Sequence, residues 1–110
     1  MDTENVQAQM RKGVLEFSIL LVLSGSSCYA SDIIRRLKEV KVIVVEGTLY
    51  PLLTRLKNSG FLSYRWEESQ QGPPRKYYMI TEKGREYLRE LNTAWSGLVE
   101  SVNLLRKNIV

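Results

Sequence analysis

From Leu88 onward, apolar residues stand at Leu88, Leu91, Trp95, Leu98, Val102, Leu105 and Ile109, an unbroken series with steps of three and four. That spacing is a heptad seam, the signature of a helix packed lengthwise on another helix. A helix from Thr81 to Ile109 would run roughly 43 Å at 1.5 Å per residue. A chain of 110 residues builds one modest body that cannot cover so long a stripe. Part of the seam must therefore meet a second chain or a helix near the N-terminus. The expectation is a homodimer paired through Leu88, Leu91, Trp95, Leu98, Val102 and Leu105.

The segment Glu46–Gly60 carries a second periodic pattern. With Leu49 at zero and 100° per residue, Leu52, Leu53 and Leu56 lie within about 60° of it, a core-facing stripe of ordinary width. Tyr50, Pro51, Thr54, Arg55 and Asn58 occupy the opposite arc, with Lys57 on its flank. Pro51 is expected near the first turn, where a missing N–H costs least. Gly60 is expected as the left-handed stop. On this segment alone such an arc is also that of an ordinary solvated helix face. It equally offers hydroxyls, an amide, cations and a ring, groups able to touch phosphates and base edges.

Upstream, a frayed polar start over residues 1–10 should precede an apolar helix from about Met10 to Leu23, ended by Ser24-Gly25-Ser26-Ser27. Arg11 and Lys12 would stand at its start. A second helix spans about Tyr29 or Ala30 to Glu39, with Ser27 or Ser31 as cap. The run Val40-Lys41-Val42-Ile43-Val44-Val45 is β-branched and reads as an extended connection or a short added strand. Phe61–Glu67 and Arg75–Ile80 alternate around Gln70-Gln71-Gly72-Pro73-Pro74, which predicts a hairpin with Arg75 and Lys76 at its tip. Thr81 then caps the last helix, with no capping box because Gly84 stands three residues on.

Between Ile33 and Lys76 there are nine bases and four acids, so the middle of the chain carries the whole excess of its net +4 charge. Basic balance of this size suits a polyanionic partner without requiring one. Histidine is absent and Cys28 is the one cysteine, which excludes a zinc finger and removes the commonest general base. No glycine-rich phosphate loop is legible, and Cys28 has no evident activating base. An enzyme is not expected, nor a cofactor or metal. The apolar run Phe17–Leu23 is far shorter than the ~20 residues that span a bilayer. With no leader legible, the expected location is the cytoplasm.

Helix, helix, helix, basic hairpin and long helix make a mainly α fold with a two- or three-stranded β wing. This is a winged helix-turn-helix followed by a long C-terminal dimerisation helix. Residues 1–80 would form the DNA-binding unit, its first helix also packing on the dimer helix, and 81–110 the dimerisation helix, in one compact whole. The helix over 46–59 would lie in the major groove, and the wing over 63–80 on the backbone or minor groove. Two copies would demand a near-palindromic duplex. The competing reading is a winged helix used only to pair proteins.

Gly47-Thr48-Leu49-Tyr50-Pro51-Leu52-Leu53, with Arg55-Leu56 and Gly60, resembles the signature of the PadR family of bacterial transcriptional regulators. So do Gly72-Pro73-Pro74-Arg75-Lys76-Tyr77-Tyr78 and Ile80-Thr81-Glu82-Lys83-Gly84 with a helix bearing Trp95. The likeness covers nearly the whole chain and is to the smaller branch with a single C-terminal helix. Tyr29-Ala30-Ser31-Asp32-Ile33 departs from it where the family often has a second glycine and a bulkier aromatic. The resemblance implies a homodimeric regulator, usually a repressor, that in some members responds to small planar aromatic or cationic compounds. Carried over by position, it puts Thr48, Tyr50, Thr54, Arg55 and Lys57 at the DNA and Arg75 and Lys76 on the wing. Tyr50 has an alternative role as a ring bracing the helix against the hairpin. Trp95 either packs the dimer seam or props it open for a flat effector.

Overall fold

The computed structural model describes residues 2–109. Its first helix is one the sequence reading merged with the frayed start: α1 (Thr3–Lys12) is capped by the Asp2 carboxylate, which accepts from the Glu4 and Asn5 N–H groups at 3.0 and 3.3 Å. No residue of α1 is buried. Gly13 and Val14 break the chain, and α2 (Leu15–Gly25) begins beyond them. Arg11 and Lys12 thus end a polar helix instead of starting the apolar one. Leu15, Ile19, Leu20 and Leu23 bury α2 at the centre of the body.

A two-residue strand, β1 (Cys28–Tyr29), leads into α3 (Ala30–Glu39). The serines do not cap α3. Tyr29 holds the cap position, and its N–H donates to Asp32 Oδ2 at 3.1 Å. Burial works against the charge of Asp32, but the Tyr29 N–H and the neighbouring Arg35 guanidinium outweigh it and hold its carboxyl below the ordinary value.

Of the two forms expected for the β-branched run after α3, it takes the connection and not the strand. Val42 N–H closes back on the Leu37 carbonyl at 2.8 Å, with Lys41 at φ 66° between them. This left-handed reversal ends α3. Val44 is buried and Val42 half-buried, whereas Val40, Ile43 and Val45 are exposed. The third strand of the sheet is β1 instead. It pairs antiparallel with β3 (Gly72–Ile80), which pairs on its other side with β2 (Leu62–Ser69), in the order β1-β3-β2. The hairpin turns tightly at Gln70-Gln71, so Pro73 and Pro74 lie inside β3. They are tolerated there because β1 reaches only Tyr77 and Tyr78, which leaves β3 without a neighbour on that side at the prolines.

Between α3 and the sheet runs α4 (Glu46–Asn58), with Leu49 and Leu53 fully buried and Leu56 2 % exposed. It stops at Gly60 (φ 85°), where Phe61 N–H reaches the Leu56 carbonyl at 2.9 Å, as the sequence pattern predicts. The last helix, α5 (Glu82–Arg106), ends three residues before Ile109. Thr81 Oγ1 accepts from Gly84 N–H at 2.9 Å and donates to the Gly60 carbonyl at 2.7 Å. Lys83 donates to the Ser59 carbonyl, and Phe61 stacks on Tyr87 at 4.1 Å. These contacts weld the base of α5 to the end of α4. Beyond Leu91, α5 leaves the sheet and lies beside α2 and the α1–α2 junction, with most of its surface exposed among the described residues. The radius of gyration is 16.1 Å, against about 13 Å for a compact chain of this length. None of the described helices is long and apolar enough to cross a membrane.

Gly84 is buried, and a Cβ there would collide with the Phe61 carbonyl and approach Ile80 Cγ1 at 2.8 Å. Gly84→Ala should cost about 2 kcal/mol through forced separation of α5 from the sheet, read as a lower urea midpoint. A second measurement follows from Asp32. Because its folded pKa is lowered, its stabilisation is present in full above the ordinary value of 3.8 and is lost as pH falls below it. The advantage of wild type over Asp32→Asn, about 1 kcal/mol at neutral pH, should therefore shrink in melts taken below pH 4.

Candidate nucleic-acid interface

The leucine stripe sets the azimuth of α4, and so decides what the other side presents. Gly47, Thr48, Tyr50, Pro51, Thr54, Arg55, Lys57 and Asn58 are all exposed. At 100° per residue they divide into a crest and two flanks. Gly47, Pro51 and Asn58 form the crest, and nothing stands within 4 Å of a Cβ built at Gly47. Pro51 is the sixth helical residue and not in the first turn. It forgoes one hydrogen bond to the Gly47 carbonyl, on the side where water can replace it. Tyr50 and Lys57 lie on the flank toward the wing, with Thr54 between them and the crest. Thr48 and Arg55 lie on the flank toward α2.

The pleat divides the wing in the same way. Cross-strand pairs Tyr64↔Tyr78 and Trp66↔Lys76 share one face, and Arg65↔Tyr77 and Glu67↔Arg75 share the other. Lys76 and Arg75, adjacent in sequence and grouped together on the sequence pattern, therefore point to opposite sides. Lys76 Nζ lies 4.4 Å from the Tyr64 ring centre and 5.4 Å from that of Trp66. Lys57 reaches over the same Tyr64 ring from α4, at 5.8 Å. Between them is a notch of about 110 Å³ lined by Leu53, Thr54, Lys57, Asn58, Tyr64, Lys76 and Tyr78. It contains two cations, a threonine hydroxyl and an amide, and no carboxylate. Tyr78 stays a neutral donor, its hydroxyl pushed up by burial and further by Tyr50 and Tyr64. Tyr50 itself is 47 % exposed, so it is near the wing without being buried by it.

On the opposite face Arg75 stacks over the Tyr29 ring at 3.9 Å and Arg65 over Tyr77 at 4.7 Å. Glu67 accepts from Arg65 Nε at 2.8 Å and from the Tyr29 hydroxyl at 3.3 Å. This face is partly neutralised, whereas the notch face is not. On the α2 flank, Arg55 is ion-paired to Glu16, its Nε 2.6 Å from Glu16 Oε1. Three residues here escaped the sequence reading. Trp66 is 61 % exposed beside Lys76, and it and Tyr64 were legible from the strand alternation once the register was known. Glu16 lies 39 positions from Arg55, and no local pattern links them.

The heptad seam splits in two. Leu88 and Leu91 pack against the chain's own core, while Trp95, Leu98, Val102 and Leu105 are 42, 58, 44 and 71 % exposed. Beside them runs an apolar groove of about 680 Å³, between α5 and the α1–α2 junction. Phe17 and Trp95 line it as a tilted aromatic pair, their ring centres 6.3 Å apart. Cys28 plays no part in either place. It is buried, and that burial pushes its thiol up.

A helix-turn-helix with a basic two-faced wing, and a long helix leaving its base, define the winged helix-turn-helix class. Residues 19–90 match the transcriptional regulator PadR-like family. A PadR-like transcription factor from Bacteroides fragilis is 61 % identical, over 92 % of this chain and 98 % of its own, with a TM-score of 0.78. A PadR-like transcriptional regulator from Bacillus cereus is 39 % identical over 88 % and 95 % of the two chains, TM-score 0.78. A PadR family regulator from Eggerthella lenta is 31 % identical over 96 % and 92 %, TM-score 0.83. The chain belongs to the PadR-like family of transcriptional regulators.

The division of the wing makes its two basic residues unequal. Lys76→Ala should reduce the slope of log affinity against log salt by about one for a random-sequence duplex. Arg75→Ala, turned away from α4, should change it less. Fluorescence anisotropy across a salt series checks both.

Proposed function

We propose that this protein is a homodimeric, sequence-specific DNA-binding repressor of the cytoplasm. The observation that carries the reading is the acid-free notch where Lys57 and Lys76 converge beside the exposed arc of α4. A phosphate seated there would neutralise both lysines, and would bring the duplex against Thr48, Tyr50, Thr54 and Arg55. Residues 1–80 act as the DNA-binding unit, with 46–59 in the major groove and the wing over 63–80 on backbone or minor groove. Arg75 serves the wing's outer face.

Residues 81–110 act as the pairing element. The exposed Trp95, Leu98, Val102 and Leu105 leave a stripe that another copy of the same stripe would cover, and Leu88 and Leu91 continue it toward the body. A dimer of this kind offers two α4 helices to a near-palindromic site, and a protein seated there obstructs transcription. The groove beside Trp95 has the volume of a small-molecule site, and its Trp95–Phe17 walls suit a planar aromatic or cationic effector.

Selection of bound duplexes from random fragments should return a near-palindromic consensus whose affinity falls steeply with salt. No enrichment over random duplex would instead favour a winged helix that only pairs proteins. Leu98→Asp with Val102→Asp should convert the dimer to a monomer in sedimentation, with the fold kept in circular dichroism. A planar dye cation should quench tryptophan fluorescence in wild type and in Trp66→Phe but not in Trp95→Ala. Equal quenching in all three would remove the effector site.

A further inference from the structure

We infer that Glu16 is a positioning residue that turns the guanidinium of Arg55 so that its outer edge reads a guanine. This rests on the DNA-binding reading and deepens it. Arg55 stands on the α2 flank of α4, away from the lysine notch. Its Nε and Nη2 both donate to Glu16 Oε1. A guanidinium has five N–H donors in a fixed plane. Glu16 takes the side-on edge, made by Nε and one N–H of Nη2. The end-on edge, Nη1 with the second N–H of Nη2, has no protein partner among the described residues. It faces solvent on a side chain that is 66 % exposed.

That end-on edge is the pair of parallel donors matching the O6 and N7 acceptors of guanine in the major groove. Two observations favour a base over a phosphate. The Glu16 carboxylate beside Arg55 would repel a second anion, whereas guanine's acceptors are neutral. Arg55 also shares its flank with Thr48 two turns earlier, on the exposed arc of α4 and not on the wing. Glu16 comes from α2, whose neighbours Leu15, Ile19 and Leu20 are buried, so the carboxylate is anchored in the rigid centre of the body. An arginine fixed in this way loses less rotamer freedom on contact, and a fixed plane discriminates between bases better than a mobile one.

The test is base preference, measured on the consensus duplex and on variants with each guanine replaced. Wild type should prefer guanine over adenine at one position per half-site by about 10-fold, within the range for a bidentate pair. Glu16→Gln should cut that ratio at least threefold while leaving affinity for random duplex unchanged or slightly tighter. In an Arg55→Ala background, Glu16→Gln should alter nothing at that position. Arg55→Lys keeps the charge but cannot make both edges, so it should lose the guanine preference by a far larger factor than it weakens random-duplex binding. This variant leaves Glu16 intact and decides the matter should Glu16→Gln not fold. The inference is overturned if Glu16→Gln keeps the guanine preference, or if Arg55→Lys does. It is also overturned if Glu16→Gln tightens specific and random binding alike with a salt slope steeper by about one, for Glu16 would then mask Arg55 from phosphate. Absence of any wild-type consensus would overturn the parent reading, and this one with it.

Discussion

The burial of Leu49, Leu53 and Leu56 is the contact on which the rest of the molecule depends. Three fully buried leucines contribute roughly 1.5–3 kcal/mol each, a large part of the net stability of a domain this size. Their effect on direction matters as much as their energy. A helix seated by one narrow stripe has one rotation, and every exposed residue of α4 inherits its orientation from that rotation. Thr54 and Lys57 turn to the wing and Arg55 to α2 because the leucines turn inward.

Two further constraints converge on the same helix. At its C-terminal end, Gly60 reverses the chain, and Thr81 and Lys83 bind the carbonyls of Gly60 and Ser59. The root of α5 is thereby tied to the end of α4, with Gly84 allowing an approach that no other side chain would permit. On its flank, Glu16 ties Arg55 to α2, whose Phe17 lines the groove beside Trp95. The groove and the exposed arc of α4 thus share one buried helix as their common support. Such a layout connects the two places through packed elements and not through a loop.

Much of the architecture was legible as periodicity. The stripe of α4, its glycine stop, the two alternating strands and the heptad run each follow from local spacing, and each forms about where the spacing puts it. Local spacing leaves open or misses what other contacts decide. The Val40–Val45 run has the composition of a strand, but Lys41 turns the chain and the run takes the other form its composition allowed, a connection into α4. Cys28–Tyr29 has no strand signal, yet it meets the open edge of β3 and becomes one. The prolines look like a loop, and they occupy a strand because that stretch of β3 has only one neighbour. At the candidate site, residue types were readable, whereas their faces were not. Arg75 and Lys76 differ by one position, and the pleat sends them to opposite sides.

The sequence by itself determined the class of protein. Its helical and strand periods, basic middle and seam specify a winged helix-turn-helix with a long final helix, because amphipathic spacing is a local property that survives without knowledge of neighbours. Tertiary structure alone decided which basic groups act together. Lys57 and Lys76 meet over one tyrosine ring, Arg75 is turned away to Tyr29, and Arg55 is held by a glutamate 39 residues distant. A hydrogen-bonded ion pair or a cation–ring contact needs its groups within a few ångströms of each other, so it depends on strand register and helix rotation, which only the packed core sets.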